Sequence, residues 1–198
     1  MVEIKKATKI NQDEIDRIRV DYKIYGKILF MSLSFYIATQ FFEDYIEAYL
    51  GTRASNKPYK SFSNFYPFYL TQHTDYYCKF LHFIGTSIVL NIVIFNLVTL
   101  LQLIPAYFIG NSIRIVTTNL DHGVYEGLAM ILFFLYLSKL LTHNISRSAM
   151  ILIVGYGFAW VGHFFYEKNR PATFIYPTYS LMGDFYLWYE IASGARKF

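Results

Sequence analysis

From Phe80 to Ile113 the chain carries no Asp, Glu, Lys or Arg. That stretch is longer than the roughly 20 residues a helix needs to cross the hydrocarbon of a bilayer. A second charge-free run extends from Ser148 to Tyr166. Only 16% of the residues are charged, against about 25% for an ordinary soluble domain. Tyr and Phe number nineteen each, and many fall at the ends of the apolar runs, where aromatic belts form. These features predict an all-α integral membrane protein with two transmembrane helices, over 84–104 and 148–166, plus shorter membrane-associated helices.

The rest of the chain is read around those spans. Residues 1–58 read as an amphipathic or interfacial extension and linker, and 59–198 as the membrane domain. The polar start (Glu3, Lys5, Lys6, Lys9) does not fit a cleavable signal peptide. Ile10, Ile15, Ile18 and Val20 give a weak helical stripe. Leu29–Phe42 is apolar but short and is expected to be interfacial or re-entrant. Leu128–Leu141 is also short and is expected to be re-entrant or interfacial, or half of an additional pair of short spans. Pro105 and Gly110 are expected to close the first span, with a loop over 111–123. Eleven of the eighteen Lys and Arg residues precede Phe80, so that end is expected on the cytoplasmic side. No basic-aromatic motif suggests a nucleic-acid partner. The one cysteine, Cys78, leaves no internal disulfide and no thiolate zinc cluster.

Polar groups at the mouths of bilayer helices are costly and mark candidate sites. His163 and Glu167 lie four apart, on one face of a continuous helix. His73 and His82 are nine apart, so one helix would point them in opposite directions. They can converge only if the chain breaks near Asp75-Tyr76-Tyr77. A shared site also requires an even number of crossings between His82 and His163. Three imidazoles and a carboxylate would suit Fe(II), Mn(II) or Zn(II). A single interfacial histidine is more often only hydrogen-bonded, and His122 and His143 are left at that reading. Lys168 and Arg170 are a candidate clamp for a carboxylate, or headgroup-level partners of Glu167. Asp184 could start a helix or orient a ligand histidine.

Phe68-Tyr69-Leu70 with His73, then Leu81-His82-Phe83-Ile84-Gly85-Thr86, resembles the first motif of a small membrane family. Gly155-Tyr156-Gly157-Phe158-Ala159-Trp160 through Gly162-His163-Phe164-Phe165 and Glu167-Lys168-Asn169-Arg170-Pro171-Ala172 resembles its second. Tyr176-Pro177, Ser180-Leu181 and Gly183-Asp184 follow the same pattern. The family is the Mpo-like 2-hydroxy fatty acid dioxygenases, and the resemblance covers roughly 62–194. It implies an Fe(II) cofactor, with His73, His82 and His163 as the metal ligands. Glu167, Lys168 and Arg170 are then the catalytic candidates. It also implies O2 and a long-chain 2-hydroxy fatty acid as substrates, in fatty acid α-oxidation and phytosphingosine breakdown. The expected host is the endoplasmic reticulum of a eukaryote or the inner membrane of a bacterium. Cys78-Lys79-Phe80 stands where the family usually carries an Asn-Arg pair. The alternative function is a non-catalytic lipid-binding or scaffold protein of the bilayer.

Overall fold

The computed structural model describes residues 12–198, with the side chains of 12, 13, 17, 18 and 20 set aside. The proposed stripe through Ile10, Ile18 and Val20 therefore falls outside the described residues. Among the described residues eight α-helices follow one another: α1 Gln12–Phe41, α2 Glu43–Leu50, α3 Phe62–Thr71, α4 Tyr76–Ile94, α5 Val98–Val116, α6 Val124–Thr142, α7 Ser146–Val161 and α8 Pro177–Ala192. Among the described residues there is no strand.

Among the described residues four helices, not two, are long and apolar enough to cross a membrane: Tyr76–Ile94, Val98–Val116, Val124–Thr142 and Ser146–Glu167. At 1.5 Å per residue, 19 residues reach about 28 Å, close to the ~30 Å hydrocarbon core. The span expected over 84–104 is instead the junction of two helices. The chain turns back at Phe95-Asn96-Leu97 with no charge, glycine or proline to announce it. Its backbone groups are met locally, by Phe95 N–H to Asn91 C=O, Asn96 N–H to Val93 C=O and Thr99 N–H to Asn96 C=O. Pro105 and Gly110 lie inside α5 rather than at a helix end. Neighbouring helices re-satisfy the backbone that a membrane proline frees. The expected loop over 111–123 begins only after Val116. The 128–141 segment is part of a 19-residue helix, because Val124–Gly127 and Thr142 extend it at both ends.

Four crossings preserve the even number that a shared site demands. They put the start of α4 and the end of α7 on one face, and the turns at 95–97 and 143–145 on the other. With its side-chain amide turned over, Asn96 accepts from Arg147 across those two turns. α1 runs alongside α5 in the same direction. Its early part meets the far face through Asp21 and His143 (3.1 Å), and its end meets Ser112 through Thr39 (3.2 Å).

Two packing features fix α8, which carries Asp184. Its first turn is held where the Glu126 carboxylate accepts from Thr178 N–H (2.7 Å). Further along, Trp188 Nε1 donates to Ser87 Oγ of α4 (2.8 Å). Gly183 lies so close to Tyr69 that an added Cβ would stand 2.7 Å from the ring. The buried Lys57 donates to His122 C=O (2.7 Å), sealing the linker against the α5–α6 connection. The topology has a direct check in vesicles of one orientation. Cysteines added one at a time at the exposed positions Phe95→Cys and Asn119→Cys, with the native Cys78 buried, should react with an impermeant maleimide from opposite faces. Labelling from the same face would overturn the four-span arrangement.

Candidate metal centre

The helical break foreseen near Asp75 occurs at 72–75, between α3 and α4. The Asp75 side chain caps α4 by accepting from Cys78 N–H (3.0 Å). A second irregularity follows α7, where Gly162–Glu167 forms a turn of π-helix. Such turns often occur at functional sites. Together they turn His73, His82 and His163 toward one another, with ring centroids 4.5, 4.6 and 5.0 Å apart. All three are buried.

Each ring has its Nδ1 engaged by an acceptor. His73 Nδ1–H donates to Tyr69 C=O (2.7 Å), His82 to Asp184 Oδ1 (2.8 Å) and His163 to Asn169 Oδ1 (2.7 Å). On a neutral ring such a bond leaves Nε2 as the free lone pair. The Nε2 atoms of His73 and His82 are buried without a partner. An unpaired buried polar atom costs about 1–3 kcal/mol, and a cation between the rings would remove that cost. Imidazoles anchored through the far nitrogen are the usual form of metal-ligating histidine. Burial, followed by the nearness of His82 and His163, holds His73 well below the usual imidazole range. It is therefore neutral and able to donate its lone pair.

Cys78 joins the group. Its Sγ and the three histidine donors all lie within 4.8 Å of one another. One ion could be held by this His, Cys, His, His set. The sequence suggested three imidazoles with a carboxylate, and the fold brings the Cys78 sulfur beside the rings in that carboxylate's place. The signal was in the sequence: Cys78 and His82 are four apart, one turn along a helix face. Gly162 makes room for it, since a Cβ there would meet the Cys78 sulfur at 3.1 Å.

The other predicted residues lie around this group. Glu167 does not point to the rings. Its two carboxylate oxygens accept from Thr74 N–H (2.9 Å), Thr74 Oγ (2.6 Å) and Asp75 N–H (2.7 Å). The backbone donors of the 72–75 break take up both oxygens, so the carboxylate is spent on that loop. Lys168 and Arg170 are exposed, Lys168 at φ 55° and Arg170 5.3 Å over the Phe174 ring. Sequence reasoning named Asp184 as a possible orienter but passed over Asn169. That residue also donates to Gln72 C=O (3.0 Å), linking the His163 turn to the loop after α3. Asp184 Oδ1 accepts a second bond from Tyr69 Oη (2.5 Å). The Tyr69 ring stacks on His73 at 4.0 Å. Burial, followed by the Asp184 charge, holds the Tyr69 phenol well above its usual range, so it remains a donor.

Removing a ring's anchor should weaken the site without emptying it of ligands. Asp184→Ala is expected to lower metal affinity by about 10–100-fold, measured by competition with a chromophoric chelator. Wild-type affinity would show that the three rings are not a metal site oriented in this way.

No curated protein and no solved structure matches the chain. A family model does, over residues 59–196, which include every residue of the cluster. The chain belongs to the family described as 2-hydroxy-palmitic acid dioxygenase Mpo1-like.

Proposed function

We propose that this protein is an Fe(II)-dependent dioxygenase that shortens long-chain 2-hydroxy fatty acids by one carbon. The reaction consumes one O2. It breaks the bond between the carboxyl carbon and C2, and yields CO2, water and a carboxylic acid with one carbon fewer. This is the chemistry of fatty acid α-oxidation and of phytosphingosine breakdown. The observation that carries the reading is the meeting of three anchored imidazoles inside a helical membrane protein of this family.

Iron(II) held at the Nε2 atoms would supply the O2 chemistry, which an imidazole-rich site with open positions suits. The chain's own residues have separable tasks. His73, His82 and His163 supply the donor atoms. Tyr69, Asp184 and Asn169 hold those donors in place. Glu167 secures the loop that carries His73, so its contribution is to position a ligand. Burial of the rings keeps bulk water away from the reacting carbon. Lys168 and Arg170 stand at the rim, where their charge draws the substrate carboxylate out of the headgroup layer.

We place the protein in the endoplasmic reticulum of a eukaryotic cell or the inner membrane of a bacterium, with the site on the cytoplasmic face. Arg53, Lys57, Lys60, Lys168, Arg170, Arg196 and Lys197 lie outside the spans at the site's end of the bundle and support that orientation. α1 offsets part of this bias, since it carries Arg19 and Lys23 toward the opposite face.

A histidine substitution series tests the reading. His73→Ala, His82→Ala and His163→Ala should each lose both bound iron and the chain-shortened product. Wild-type iron and product in His163→Ala would overturn it. Lys168→Ala and Arg170→Ala should keep iron and kcat but raise KM, each by the modest factor that an exposed charge contributes, about 0.2–1 kcal/mol.

A further inference from the structure

Below the metal centre the bundle holds a cavity of about 390 Å³, walled by α4, α5, α6, α7 and α8. Its lining is apolar apart from Asp184 and two tyrosines. Asp184 stands at both places, since it lines the cavity and also accepts from His82 Nδ1. Two helices lead the same way. On α4, Val89 lines the cavity seven residues beyond His82, on a buried face shared with Gly85 and Thr86. On α7, Gly155 and Ile151 line it eight and twelve residues before His163.

We infer that this cavity holds the hydrocarbon tail of the substrate, and that its far wall sets the longest chain accepted. The inference rests on the oxygenase reading for what sits at the head of the tail. Ile151 lies about 18 Å along α7 from His163, a little over half of the ~30 Å hydrocarbon core. A tail reaching that wall has the length of an acyl chain in one leaflet. A short 2-hydroxy acid would leave the cavity empty. Ile104 stands at the cavity's edge and is exposed on the outer face of α5, so the tail enters sideways from the bilayer.

The selectivity then comes from shape. A tail that leaves lipid for an apolar cavity gains little hydrophobic free energy, because lipid is as apolar as the wall. Chains short enough to fit are accepted alike, and longer ones meet packed side chains. Gly155 offers a way to shorten the cavity. A Cβ there meets only Val89, at an ordinary 3.7 Å, so a larger residue can grow into the space without moving the backbone.

The test combines labelling with a variant. A long-chain 2-hydroxy acid bearing a terminal diazirine is photolysed with the iron-loaded protein in nanodiscs, and the adducts are mapped by mass spectrometry. Adducts on Leu103, Ile131 or Ile151, suppressed by unlabelled 2-hydroxy acid, are the expected result. Gly155→Leu should retain iron while losing turnover of the longest acids about tenfold or more. Turnover of shorter acids should fall less, so the ratio of longest to shortest drops. Adducts confined to the outer surface, or an unaltered chain-length limit in iron-loaded Gly155→Leu, would overturn the tail assignment. The two readings fail separately. Cavity adducts without product or iron would remove the oxygenase and leave a lipid-binding cavity. Product with adducts elsewhere would remove the cavity role alone.

Discussion

Three imidazoles from distant stretches of chain meet because one carboxylate ties together the two places where helical regularity fails. Glu167 ends the π-turn that carries His163. Its oxygens accept the backbone N–H groups of Thr74 and Asp75, in the break between His73 and His82. A continuous helix through 73–82 would turn those rings apart. A continuous α-helix through 163–167 would stack Glu167 under His163. Both interruptions expose backbone donors and acceptors that need partners. Asn169 closes the same junction from the other side, between His163 and Gln72 C=O.

The bilayer then decides how the rest is arranged. Within hydrocarbon the backbone must satisfy itself, so the spans are unbroken helices and the irregular turns gather at their ends. That is where the histidines lie. α8 is not among the four candidate spans, yet it is held along α4 by Trp188 and against α6 by Thr178. It brings Asp184 to His82, and its close approach to Tyr69 is possible only because Gly183 has no side chain. One acidic group so placed anchors the His82 ring above and borders the apolar cavity below. A reactive head and a hydrocarbon tail of one substrate would need that juxtaposition of an imidazole-lined end with an apolar interior.

Much of this was legible in the residues. The charge-free runs and the aromatic belts announced a membrane protein. The helical phase of His73 and His82 demanded a break near Asp75, and a shared site demanded an even number of crossings. The number of spans was not legible. The turn at Phe95-Asn96-Leu97 uses apolar and amide side chains, so hydropathy runs through it without a mark. Cys78 was legible in part, because its spacing from His82 is one helical turn. That its sulfur faces the other two histidines depends on the empty space at Gly162.

The sequence alone determined the solvent this chain folds in, the helical class that solvent imposes, and the family motifs that carry the histidines. Those follow from local composition and spacing, which the chain states in order. The tertiary structure alone decided which groups meet: Cys78 with the three rings, Asp184 behind His82, Asn169 behind His163, and Glu167 on the Thr74–Asp75 backbone. Each of those pairings depends on the relative rotation and depth of separate helices. Close packing between their surfaces sets that rotation and depth, and no residue encodes it by itself.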